Sequence, residues 1–182
     1  MSLQVCFETH QTTEDNEAGI ATGWLPGRLS AVGRRQAVEL GERRRDDGID
    51  VVFSSDLHRA VESVDLAFVG AGPAVLLDWR LRECDYGQLN GAPRAQVHAD
   101  RSAHRVTPYP DGESWQQAVD RVGSFLADLL PRWDGARVLI VGHVATRIGL
   151  DHHLNGVPLA AALENDFRWQ PGWEYVLDTT DE

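Results

Sequence analysis

Arg137-Val-Leu-Ile-Val-Gly-His143 runs straight into Val144-Ala-Thr-Arg-Ile-Gly-Leu150, so an apolar, β-leaning run is followed at once by a helical stretch reaching to about Leu154. Such a strand is too continuously apolar to have a wet face, and it is expected to be buried on both sides, as in a parallel sheet. His143 then lies just beyond a strand's carboxyl end. Working outward, the same strand-then-helix rhythm recurs. Residues 3–7 read as a buried first strand, with His10 just past its end. Ser30 is placed to cap a helix whose Val32, Ala37, Leu40 and Gly41 keep helical spacing, ending in the charge run 43–47 and Gly48. Residues 51–53 form a second strand. Ser54 and Ser55 are expected to cap a helix carrying Leu57, Val61, Val64 and Phe68 on one face, with Arg59 in its first turn.

A third strand is expected at 75–77, with Glu83 soon after it. Residues 84–112 are rich in Gly, Pro and polar side chains and read as a lid or insertion rather than a regular element. From Asp111 a capped helix is expected to carry Trp115, Val119, Val122, Leu126, Leu129 and Trp133 down one side. Residues 173–177 alternate and should close the sheet as an edge strand. Strands alternating with helices predict a three-layer α/β/α domain over 1–182, with a mostly parallel sheet and its site at the carboxyl ends of the strands. His10, Arg59 and His143 all map to that edge.

Composition narrows the chemistry. The 182 residues fit one core, and their 42% hydrophobic and 25% charged content is ordinary globular usage. No apolar run approaches the roughly 20 residues of a membrane helix, and no secretory pattern opens the chain, so a cytoplasmic location is expected. The net charge of −11 argues against a nucleic-acid partner. All 17 basic residues are arginine; the absence of lysine excludes a Walker-type loop, a Schiff-base nucleophile and a pyridoxal site. Any anion must be held by arginine, histidine or backbone amides. Cys6 and Cys84 form neither a CxxC nor a zinc pattern and read as reduced thiols. His152 and His153 are expected on a solvated face, His58, His98 and His104 at the surface, and Arg43-Arg44-Arg45 at an exposed helix end.

Several blocks then occur in a telling order: Glu8-Thr-His10-Gln-Thr-Thr-Glu-Asp-Asn16, Thr22-Gly23-Trp24, Ser54-Ser-Asp-Leu-His-Arg59-Ala, Leu81-Arg-Glu83-Cys-Asp-Tyr-Gly87, Gly112-Glu-Ser114 and Val141-Gly-His143. Over nearly its whole length the chain resembles the histidine phosphatases, the phosphoglycerate mutase-like superfamily. The resemblance implies that His10 attacks phosphorus, that Arg59, Asn16 and His143 hold its oxygens, and that Glu83 exchanges a proton with the leaving group and with water. It implies no cofactor and no metal. Thr9, Thr22 and Gly23 join the expected phosphate-binding set, and the expected substrate is a small phosphorylated molecule.

The family's Arg-His-Gly reads Thr9-His10-Gln11 here. Losing one charge-assisted contact costs about 1.5–3 kcal/mol, roughly ten- to a hundredfold. Three readings are therefore carried: a metal-independent phosphatase acting on a phosphomonoester, a phosphate-binding or regulatory protein with little turnover, and mutase-type phosphoryl transfer. Arg28, Arg94, Arg101 and Arg105 are candidates to replace the missing guanidinium. A homo-oligomer is compatible with the sequence.

Overall fold

In a computed structural model, residues 2–70 and 72–178 are described. In chain order the elements are β1 (Ser2–Thr9), α1 (Glu14–Ala18), β2 (Ile20–Ala21), α2 (Ala31–Arg44), β3 (Val51–Ser54), α3 (His58–Ala67), β4 (Ala74–Leu77), β5 (Ala92–Pro93), α4 (Arg94–Asp100), α5 (Trp115–Leu129), β6 (Arg137–Gly142), α6 (Val144–Asn155), α7 (Leu159–Glu164) and β7 (Trp173–Asp178). The main sheet runs β4-β3-β6-β1-β7, with its first four strands parallel and β7 antiparallel to β1.

The period of two explains the three layers. Val138 and Ile140 of β6, with Leu3, Val5 and Phe7 of β1, pack against Val122, Phe125, Leu126 and Leu129 of α5 and Leu150 of α6. The alternate residues Leu139 and Val141, with Cys6 and Val52, meet Val64 of α3 on the other face. β6 is thus covered on both sides, which is why its sequence shows no polar alternation.

Several expectations need correcting. The helix expected from Asp111 begins at Trp115: Ser114 is the cap, and with Gln117 it forms a reciprocal capping box. Asp111 has φ of 58°, a turn conformation no extended N-cap residue adopts. α3 is entered through Leu57 without a side-chain cap; the Ser55 hydroxyl instead accepts from the Leu57 amide at 3.2 Å. α2 ends at Arg44, ahead of Gly48. Arg45 is exposed as expected, but Arg43 and Arg44 are not a free surface. Glu8 is wholly buried on β1, and Arg43 and Arg44 both clamp it, Arg44 with contacts of 3.0 and 2.8 Å. A carboxylate in a strand interior must be paired, and its partners lie 35 and 36 positions away, where no local pattern shows them. His152 and His153 each bond a backbone carbonyl, of Val157 and Val119 respectively.

The 84–112 segment is also more regular than expected. It carries a 3-10 turn at Gly87–Leu89, β5 paired to β2, and α4. Its base is pinched shut, because a Cβ at Gly87 would stand 2.0 Å from the Pro110 carbonyl oxygen; that position has φ of +52°.

Candidate active site

Three strand ends are sewn together before any side chain matters. The His10 amide continues the ladder to the Gly142 carbonyl at 2.9 Å, and the Ser55 amide reaches the Val141 carbonyl at 2.9 Å. The loop after His10 is held by α2 and α3. Thr12 donates its amide to Gln36, the Gln11 amide reaches the Ser63 hydroxyl, and that hydroxyl donates to the Arg59 carbonyl. Gly33 sits so close that a Cβ there would lie 1.9 Å from the Thr12 carbonyl oxygen.

Within this frame His10 and His143 face each other with ring centroids 5.0 Å apart. His10 Nδ1 lies 2.8 Å from the Gln11 carbonyl oxygen. A carbonyl only accepts, so Nδ1 carries the proton and Nε2 keeps its lone pair. His143 is wholly buried at the head of α6; its Nε2 lies 2.9 Å from the Ser55 hydroxyl, and its Nδ1 is buried without a partner. Burial, and then the nearby Arg59 guanidinium, hold both imidazoles neutral: His10 is lowered to about 3 and His143 falls well below 6.5.

Arg59 is 2% exposed and is anchored from behind through the carbonyls of Gly23 at 2.8 Å and Leu25 at 3.3 Å. Burial presses its pKa down, and the nearby Glu83 carboxyl opposes that. Glu83 sits at the N-terminus of α6. Its Oε1 accepts from the amides of Cys84 at 2.9 Å and Ala145 at 3.0 Å, while Oε2 has only a 3.3 Å contact with the Val144 amide. Burial raises its pKa, against the pull of those amides, Arg59 and Arg121.

His10, Arg59, Glu83 and His143 are therefore brought together. The flanking set is more dispersed. Asn16 forms a capping box with Thr13, and this cap uses its side-chain oxygen. The Thr22 hydroxyl donates to Asp15, and Gly23 contributes its carbonyl to Arg59 from a left-handed conformation of φ 55°. Thr9 is 5% exposed on the last residue of β1, and the Gln11 side-chain amide donates back to its carbonyl at 3.1 Å. Arg101 is engaged with His98 and the Asn165 carbonyl, so it is not free to replace a missing guanidinium.

Sequence reasoning passed over three supports. Ser55, read as a helix cap, is the His143 partner. The Trp24 indole donates to the Glu83 carbonyl at 2.6 Å. Arg121 is buried and bonds the carbonyls of Arg80, Arg82 and Glu83, fixing the segment that presents Glu83. Its signal was present: it lies on the buried stripe of α5 with Ala118, Val122 and Phe125, where an arginine needs a reason. Tyr86 belongs beside them, a buried phenol in the field of Glu83 and Arg59.

The comparison with known families is now decisive: the profile of the histidine phosphatase superfamily (branch 1) matches residues 6–181. The chain belongs to the histidine phosphatase superfamily. Among curated relatives of this histidine phosphatase, the probable phosphoglycerate mutase GpmB of Salmonella typhi is 33% identical over 167 residues, covering 81% of this chain and 76% of that protein. Among solved structures, a mycobacterial glucosyl-3-phosphoglycerate phosphatase in complex with VO3 is 29% identical, with TM-score 0.77, over 88% of this chain and 86% of that one. Bacillus stearothermophilus YhfR, at 20% identity, shares the fold with TM-score 0.85 over 98% of this chain and 92% of its own.

Proposed function

We propose that this histidine phosphatase hydrolyses a small phosphomonoester without a metal, through a phosphohistidine on Nε2 of His10. The observation that carries the reading is the 2.8 Å bond from His10 Nδ1 to the Gln11 carbonyl, which leaves Nε2 unprotonated beside His143 and in the field of Arg59. Nε2 attacks phosphorus, and the bond from phosphorus to the ester oxygen breaks with its electron pair on that oxygen. Glu83 protonates it. Oε2 is the oxygen suited to this, since Oε1 is taken by two amides. The resulting carboxylate then takes a proton from water, whose oxygen attacks phosphorus. The electron pair of the P–N bond returns to Nε2.

Charge on the transferring group is met by the Arg59 guanidinium, by Nδ1 of His143 and by the Asn16 amide, donors fixed in place before the reaction. For His143 to donate from Nδ1, its Nε2 must accept, and the Ser55 hydroxyl is placed to supply that proton. That a mycobacterial relative is in complex with VO3, an oxyanion, supports this reading. A second reading, phosphate binding with little turnover, is favoured by Thr9 and Gln11, which put no charge where the family has arginine. Release of nitrophenol from an aryl phosphate separates the two. The phosphatase reading expects turnover that His10→Ala abolishes while the fold is kept; phosphate binding with no turnover in the parent would contradict it. Inorganic phosphate released from phosphoglycerate, rather than its isomer, separates hydrolysis from transfer.

A further inference from the structure

Arg147 lies one turn into α6, and its guanidinium is braced on several sides. The guanidinium carbon stands 4.5 Å from the centre of the Trp173 ring and 6.0 Å from that of Phe167. Asp151, four positions on, approaches its Nε at 3.4 Å. That carboxylate is fixed in turn by the Tyr175 hydroxyl, which donates to it at 2.8 Å and lies against the guanidinium. The buried Nε is still without a hydrogen-bond partner, and no carboxylate other than Asp151 comes within 4.0 Å of Arg147 among the described residues. Stacking takes up the flat face of a guanidinium and leaves its in-plane N–H groups for a planar oxyanion.

Arg147 borders a cavity of about 520 Å³ between α6, the end of α7 and the start of β7, a volume in the range of small-molecule sites. Arg168 borders it too, and pairs with no carboxylate among the described residues. Of the two carboxylates in the wall, Asp166 is already turned to His98 at 3.5 Å and to Arg101 at 4.0 Å. Glu164 has no cation within 4.0 Å among the described residues. The wall is tied down by its backbone: the Asn165 carbonyl accepts from Arg101 at 3.1 Å, that of Gly172 from the Gln170 side chain at 2.7 Å, and that of Pro171 from Arg44 at 3.3 Å. None of His10, Arg59, Glu83 and His143 borders this cavity.

We infer that the cavity is a second binding site, separate from the phosphate pocket, for a small carboxylate that also carries hydroxyl or ammonium groups. The carboxylate lies across the fork of Arg147 with Arg168 beside it, and the donors of the same molecule face Glu164. Two guanidinium groups turned to a cavity reverse the sign of a surface whose chain carries a net charge of −11. A phosphate dianion suits the same fork, but Glu164 and Asp166 repel its second charge, which favours a carboxylate.

Hydrogen exchange on the full chain, resolved by peptide, reads this site apart from the candidate active site. Millimolar lactate or serine should slow amide exchange at 164–173, while sodium chloride and glycerol at equal concentration should not. Inorganic phosphate should act there at least tenfold more weakly than the carboxylates. Arg147→Gln should weaken the carboxylate effect about ten- to a hundredfold, through loss of one charge-assisted fork, with an unchanged far-ultraviolet spectrum. Arg168→Gln changes an exposed side chain, so the fold is not at stake, and should weaken binding in the same direction. No slowing at 164–173 with either carboxylate, equal slowing by glycerol or chloride, tighter binding of phosphate, or carboxylate binding kept by both variants would overturn the inference.

Discussion

At position 9 a threonine, 5% exposed, ends the strand that presents His10. It can offer a hydroxyl to a phosphate oxygen but no charge. Thr9→Arg should therefore raise turnover of a phosphomonoester by about ten- to a hundredfold, the worth of one charge-assisted contact of about 1.5–3 kcal/mol. Because the Gln11 side-chain amide folds back over the Thr9 carbonyl, the double variant with Gln11→Gly is the cleaner comparison. Steady-state turnover of both should exceed the parent's; a folded double variant no faster than the parent would show that Thr9 does not limit catalysis. Glu83 gives a second residue-scale expectation. Its carboxyl is raised by burial while His10 is lowered to about 3, so the working pair is protonated Glu83 with neutral His10. kcat/KM should hold toward acid, down to the pKa of His10, and fall as pH rises through that of Glu83. Glu83→Gln should slow alkyl phosphates far more than aryl ones, whose leaving groups need no acid. Equal slowing would mean that Glu83 is not the acid.

Among the elements, α2 positions the loop after His10 by direct backbone approach. Gly33→Ala puts a methyl within 1.9 Å of the Thr12 carbonyl oxygen, and a backbone atom cannot yield as a side chain can. The expected cost is about 1–3 kcal/mol of stability, together with a loss of turnover that exceeds the loss of fold, read by thermal melting alongside kinetics. Ser30 is exposed to a milder fate, since it only caps the same helix through the Gly33 amide; Ser30→Ala should cost about 1 kcal/mol. The elements themselves were largely legible. Local signals such as the Ser30 cap, the uninterrupted 138–141 run and the stripe of Val119, Val122 and Leu126 are set within a turn or two. His10, Arg59 and His143 were legible too, because strand order carries them to one edge, whereas Glu83 was placed with them only by the family resemblance. What escaped was non-local: Glu8 with Arg43 and Arg44, Ser55 with His143 across 88 positions, and Arg121 beneath Glu83. Each is a buried polar group satisfied by a partner that only the folded chain brings near.

For the molecule as a whole, two histidines kept neutral by burial link stability to pH. Their folded pKa values lie below the unfolded 6.5, so the stability they contribute is present above about pH 6.5 and is lost as pH falls toward their folded values. The melting temperature should drop on acidification below that point, and His143→Gln should flatten the slope; an unchanged slope would show that His143 titrates normally. No helix among the described residues is long and apolar enough to cross a membrane, and the buried Arg59 guanidinium of the site is set into an acidic chain. Every charge in the proposed cycle is met by arginine, histidine or an amide, so a chelator should leave turnover unchanged; loss restored by a divalent ion would point to different chemistry. The central claim is the covalent bond to His10. It is read by mixing the protein with an excess of an aryl phosphate, quenching in alkali, where a phosphohistidine survives, and weighing the intact chain and its peptides. The expected result is a chain heavier by one phosphoryl group, with the added mass on the peptide that holds His10 and absent from His10→Ala. Nitrophenol release with no such adduct, or with the adduct on another residue, would contradict it.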